Sequence, residues 1–226
     1  MLNNKHLTKI TTFDCMFIMT QNLQFPPTTT ALPDGLLATG GDLSEAQLLL
    51  AYKSGIFPWY NEGSDIEWYA PDPRFVLYPH NIHISKSMQQ VLKKNTYTFT
   101  YNKAFEQVMI NCKVNNRKNQ DGTWITNAMQ IAYNNLHKKG IAISAEAWHN
   151  DVLVGGLYGV LMGKVFCGES MFALEPNASK FAFIHLVNYL TQLNIALIDC
   201  QVYTQHLESL GATMISRIEF EQYLPI

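Results

Sequence analysis

Two carboxylates and an amide stand where apolar residues belong. Glu169 interrupts the run Phe166-Cys167-Gly168-Glu169-Ser170-Met171-Phe172, and Asp199 and Gln201 interrupt a second run, residues 195–202. Both runs read as core strands. A carboxylate placed there must find a partner or a ligand, or give up its charge. Asp199 and Gln201 are two apart, so on a strand they share a face, while Ile198 and Cys200 point the other way. If the two strands are close, one concave site presents two carboxylates and an amide, groups suited to holding an amine and moving its proton. An architectural reading stands beside this one. Asp199 could cap the following segment or pair with a buried Lys or Arg, and Glu169 could end a strand facing water.

The whole chain sets the frame for these residues. With 226 residues, 47% hydrophobic and 12% aromatic, it can build one large domain or two small ones around a packed core. No apolar run reaches the roughly 18–20 residues of a membrane span. Residues 1–21 make a poor signal peptide: Asp14 breaks the apolar stretch and no small-residue cleavage site follows. They read as a loosely ordered leader ending near residue 22, with Met19 as a candidate start. Cys15, Cys112, Cys167 and Cys200 show neither a CxxC pair nor regular spacing, which speaks against a disulfide framework or a zinc site and for a reducing cytoplasm. The net charge is −2, yet from Arg74 to Lys139 ten Lys and Arg stand against two acids. Such a block is a candidate phosphate-binding face, provided its charges converge in space.

The elements that must position these groups follow from periodicity and caps. Helices are expected over 45–54 (capped by Ser44, ended by Gly55), 85–94, 105–112, 127–139 (capped by Thr126), from Asn177 or Ser179 to 193, and over 204–210. Strands are expected at 66–69, 75–78, 97–101, 141–148, 152–161, 164–170, 195–202 and 213–219, with a hairpin turn at His149-Asn150-Asp151. Residues 141–170 then form an antiparallel meander, and the later helix–strand units make the sheet mixed. Pro71-Asp72-Pro73-Arg74 breaks the chain into a small domain, 1–72, and a larger one, 73–226. The fold class is α+β.

Motifs in order along the chain carry a resemblance: Gly40-Gly41-Asp42-Leu43, Gly55-Ile56-Phe57-Pro58-Trp59, Ala70 to Arg74, His83-Ile84-Ser85, Gly122 to Thr126, Phe166 to Phe172, Asn177-Ala178-Ser179-Lys180 and Ile198 to Gln201. From about Phe25 to Leu224 the chain resembles the leucyl/phenylalanyl-tRNA–protein transferase family. The resemblance implies a small N-terminal α/β domain followed by a GNAT acetyltransferase-like domain. It also implies a bacterial cytoplasmic enzyme, acting as a monomer without a cofactor or membrane. Its substrates would be Leu-tRNA or Phe-tRNA and proteins beginning with Arg or Lys, which the added residue marks for degradation. By the same resemblance Asp199 and Gln201 contact the reacting amine, and Glu169 lies beside the aminoacyl ester. Trp59 and Trp124 flank the terminal adenosine. Tyr133, Leu157, Met171, Phe183, Leu186 and Ile198 line the side-chain pocket, although Tyr133, Phe183 and Leu186 read equally as core. Arg74, Lys86, Lys93 and Lys94 meet the tRNA. Whether Asp199 is a base or only orients the amine stays open.

Three rival readings have specific weaknesses. An acetyltransferase needs a glycine-rich turn before its cofactor-binding helix, and residues 175–180 lack one. A two-carboxylate glycosidase explains Glu169 and Asp199 but not Gln201 or the basic block. A non-catalytic RNA-binding module leaves the carboxylates as structural groups.

Overall fold

The computed structural model describes residues 17–19, 24–115 and 124–225. Cys15, Arg117, Lys118, most of the loop 113–122 and the expected leader apart from 17–19 lie outside them; residues 17–19 of that leader are not loose but pair in parallel with Ala38–Gly40 as a strand. Two sheets organise the chain. The smaller contains β1 (Phe17–Met19), β2 (Leu36–Gly40), β3 (Phe57–Pro58) and β4 (Glu67–Tyr69) in the order β1-β2-β4-β3, with helix α1 (Glu45–Lys53) beside it. The larger begins with β5 (Arg74–Leu77) and continues with β6 (Thr98–Tyr101), β7 (Ala142–His149), β8 (Val152–Met162), β9 (Val165–Ala173), β10 (Leu197–Gln201) and β11 (Thr213–Ile215), in the order β11-β5-β10-β9-β8-β7-β6. Its helices are α2 (Lys86–Lys93), α3 (Phe105–Val114), α4 (Asn127–Lys138), α5 (Ala178–Gln192), α6 (Gln205–Glu208) and α7 (Arg217–Glu221). The fold is α+β. In the larger sheet β9 and β10 run parallel while the other pairs are antiparallel, so the sheet is mixed as expected.

Local chemistry explains most boundaries. Ser44 Oγ accepts the Gln47 N–H at 3.3 Å and Thr126 Oγ1 accepts the Met129 N–H at 3.1 Å, so each caps its helix. Between β7 and β8 the turn is shorter than expected. Asn150 and Asp151 alone form it, at φ 49° and 63°, the left-handed pair that a two-residue hairpin of matching twist requires. Asn177 precedes α5 at φ 68° with no side-chain cap. The last strand stops at Ile215 instead of 219, because the Ser216 hydroxyl accepts the Glu219 N–H at 3.2 Å and starts α7. β9 runs on to Ala173, past the expected end at 170.

The large sheet has a core on each face. One joins Trp68, Tyr52, Tyr133, Tyr158, Phe105 and Phe220; the other joins Phe75, Phe166, Phe183, Leu186 and Ile198 beneath α5. Trp68 is fully buried with its indole N–H on the Gly40 carbonyl at 2.9 Å. Helix α5 starts directly against β8: a Cβ on Gly155 would stand 2.6 Å from Ala178 backbone. The feature that makes a site is a divergence. β10 and β9 pair only at Leu197↔Val165, Ile198↔Phe166 and Asp199↔Cys167. Bulges at Tyr158/Gly159 and Asp199/Gln201 interrupt the flanking ladders at the same level. Beyond Asp199 the two strands part, and the opening between them is a cavity.

Candidate active site

The cavity holds about 560 Å³. Glu169, Asp199 and Gln201 line its polar part, Trp59 and Trp124 stand in its wall, and Leu157, Met171, Phe183 and Ile198 supply apolar surface. Trp59 is 38% exposed and tilts against Tyr69 with ring centroids 5.6 Å apart. Three expected site residues belong elsewhere. Leu186, one turn beyond Phe183 on α5, is fully buried in the core and does not line the cavity. Tyr133 is likewise fully buried and reaches the site only through Glu169. Arg74 is 2% exposed and cannot meet tRNA phosphates, because its guanidinium is spent inside the protein. Lys86, Lys93 and Lys94 are exposed on and just after α2, outside the cavity.

Asp199 both pairs and caps, so the two architectural readings of this residue coexist. Arg74 Nε donates to Oδ1 at 2.8 Å and its Nη2 to Oδ2 at 2.7 Å. The Gln201 backbone N–H donates to Oδ1 at 2.9 Å. This planar fork is the strongest arrangement such a pair can take. The guanidinium carbon lies 4.8 Å from the Phe57 ring centroid and 4.6 Å from that of Phe220, so the cation is held between two aromatic rings as well. Gln201 adopts φ 64° at the bulge. That twist, and not the simple alternation of a strand, carries its side chain to Glu169, where Gln201 Nε2 donates to Oε1 at 3.0 Å.

Glu169 is the second buried carboxyl group. The Tyr52 hydroxyl donates to its Oε1 at 2.7 Å, the Tyr133 hydroxyl lies 3.2 Å from Oε2, and the two hydroxyls are hydrogen-bonded to each other. Burial pushes its pKa up to about 7; the Tyr and Gln201 bonds pull it down and the charge on Asp199 adds to the rise. Burial beside Glu169 drives the phenols of Tyr52, Tyr133 and Tyr158 well above the ordinary range, so they carry their protons throughout. The buried Tyr158 hydroxyl has no hydrogen-bond partner among the described residues.

Sequence reasoning missed Tyr52, Phe57 and Phe220, and it put Arg74 on the wrong surface. A signal for Arg74 existed: it is a charge beside the apolar Phe75-Val76-Leu77, the same anomaly that marks Asp199. Among the described residues no three His, Cys, Asp or Glu side chains converge as metal ligands do.

Both oxygens of Asp199 are taken up by Arg74, while burial brings Glu169 to about 7, so the two carboxyl groups stand in different settings, which argues against a pair of hydrolytic carboxylates. An apolar pocket, two tryptophans and one poised acid in a splayed sheet make a group-transfer enzyme. The chain belongs to the leucyl/phenylalanyl-tRNA–protein transferase family: the family's main domain matches residues 76–225 and its N-terminal domain residues 41–72. The protein of that name from Flavobacterium johnsoniae is 55% identical over 92% of this chain and 99% of its own length. The one from Christiangramia forsetii is 52% identical over 92% of this chain and 100% of its own. A GCN5-related N-acetyltransferase from Kribbella flavida aligns in structure over 74% of this chain and 59% of its own, with 9% identity and a TM-score of 0.36.

Proposed function

We propose that the chain moves Leu or Phe from aminoacyl-tRNA to the α-amino group of a protein that begins with Arg or Lys, forming a peptide bond that marks the acceptor for N-end rule degradation. The observation that carries this reading is the joining of an apolar wall (Leu157, Met171, Phe183, Ile198), a tryptophan pair and a buried acid in one cavity. The apolar wall takes a Leu or Phe side chain, and Met171 adapts to either shape. Trp59 and Trp124 stack on the terminal adenine, and the ester then lies near Gln201 and Glu169. Aminolysis of an ester that is already activated asks mainly for positioning. The Arg74–Asp199 pair contributes by fixing the bulge that aims Gln201. Lys86, Lys93 and Lys94 bind phosphates of the acceptor stem. We read the enzyme as a cytoplasmic monomer without a cofactor; among the described residues no helix is long and apolar enough to cross a membrane.

The test is transfer of labelled Leu from Leu-tRNA to a peptide with N-terminal Arg, against the same peptide with N-terminal Ala. Label on the Arg peptide alone is expected, and label on neither would overturn the reading. Trp124→Ala is expected to weaken Phe-tRNA binding by about 1–3 kcal/mol, the worth of one stacked base. A lowered melting temperature with unchanged binding would make Trp124 a packing residue.

A further inference from the structure

Glu169, Tyr52 and Tyr133 form a triangle of oxygen contacts: Tyr52 to Oε1, Tyr133 to Oε2, and Tyr52 to Tyr133. Each hydrogen bond needs one proton. Two phenols supply two protons and the triangle has three sides, so all three bonds are made at once when Glu169 carries the third proton. The pattern at its oxygens says which one carries it. Oε1 already receives two donors, from Tyr52 and Gln201, and is filled as a carbonyl oxygen. Oε2 therefore bears the hydrogen. It donates to Tyr133, Tyr133 donates to Tyr52, and Tyr52 donates back to Oε1, a ring with every link satisfied and running in one direction. If Glu169 were ionised, both phenols would turn toward the carboxylate and the contact between them would have no proton.

We infer that Glu169 acts as the acid of the transfer reaction, and that Tyr52 and Tyr133 are positioning residues that hold its proton in a closed ring and stabilise the carboxylate once the proton has left. The inference rests on the transfer reaction proposed above. In the step it describes, the acceptor nitrogen forms its bond to the carbonyl carbon and the bond from that carbon to the ribose oxygen breaks, its electron pair staying on oxygen. The proton on Oε2 passes to that oxygen, which leaves as a hydroxyl. Tyr133 then turns from Tyr52 to donate into the new carboxylate, where with Tyr52 and Gln201 it makes three bonds to the anion. The proton shed by the nitrogen restores Glu169, so none is gained or lost over the cycle. A neutral acid at rest also has an advantage over a base here, since a carboxylate would hold the acceptor as its unreactive ammonium.

The groups facing the ring come from three strands. Tyr158 reaches it from β8, Cys167 from β9 with its thiol kept protonated by burial, and Asp199 from β10 with Arg74 of β5 behind it. On the cavity side stand Cys200 and His206. Both oxygens of Asp199 are occupied by Arg74, and burial holds the protons on Tyr158 and Cys200.

The experiment is the pH dependence of single-turnover transfer from Phe-tRNA to an aminooxyacetyl peptide, whose nucleophile stays unprotonated throughout the range. Wild-type protein is expected to lose rate about tenfold per pH unit above the titration of Glu169 near 7. Glu169→Gln should be slow and flat. Tyr52→Phe and Tyr133→Phe should keep the falling limb but move it upward by about one pH unit, because an ionised acceptor loses more than a neutral one when a hydroxyl donor is removed. A rate that rises through the same range would make Glu169 a base and overturn the inference. So would a limb that survives in Glu169→Gln, or one that stays in place in both tyrosine variants. Transfer with any of these profiles leaves the proposed function standing, whereas absence of transfer from wild-type protein to any acceptor overturns that function first. Should a variant not fold, the infrared carbonyl band of a protonated carboxyl group in wild-type protein below neutrality decides alone: its loss as pH rises through about 7 supports the ring, and its absence at every pH overturns it.

Discussion

Arg74→Met should destabilise the protein by about 3–5 kcal/mol, read as a lowered urea midpoint at unchanged slope. The reason is the carboxylate left behind. Asp199 is fully buried and takes two of its bonds from the guanidinium, so without Arg74 a charge sits in the core with little to compensate it. Arg74→Lys should recover little, since an ammonium cannot supply the two-pronged bond or lie flat between Phe57 and Phe220. Replacing both partners by apolar groups of matching size should recover most of the loss, because the penalty of the single variant lies in the orphaned charge. A single variant that loses under about 1 kcal/mol would mean that the pair is wet and its fork is not what fixes the bulge.

Glu169→Gln should lower transfer by about 10²–10⁴, the usual worth of one acid–base group, and should do so without loosening the fold. Stability should in fact change in the opposite sense at high pH. The folded carboxyl group titrates near 7 against a reference of 4.5. Below pH 4.5 it is protonated in both states and imposes no penalty. Between those values the unfolded chain ionises first, so wild-type stability falls as pH rises, by about 3 kcal/mol in all, and levels off above 7. The Gln variant lacks this slope, so it should be the more stable protein above neutrality and the less active one. A wild-type stability that is flat over that window would show that Glu169 is solvated.

How much of this was legible depends on what a sequence can encode locally. Caps, the hairpin and the meander are decided by neighbours within a few residues, and Ser44, Thr126 and Asn150 announced them. The anomaly of a charge in an apolar run found Glu169 and Asp199. It did not find their partners, because Tyr52 and Glu169 are 117 residues apart and Arg74 and Asp199 are 125 apart. A count of Lys and Arg has no depth coordinate, so Arg74 was grouped with the surface charges that follow it. Helical spacing gives Phe183 and Leu186 a common apolar face without saying which of them borders the cavity. Gln201 was placed beside Asp199 by strand alternation; its backbone departs from a strand, and the bulge does what alternation was credited with.

The cation between two rings has a consequence for how such a protein can be inherited. Phe57 comes from the first sheet, Arg74 from the chain just past the break at Pro73, Asp199 from the middle of the second sheet and Phe220 from the last helix. A recombination crossover after codon 72 would therefore bring together halves with separate histories around a single ion pair, and one unmatched ring or side chain would strand a charge. The boundary that divides the family's two sequence domains is no seam in the machinery.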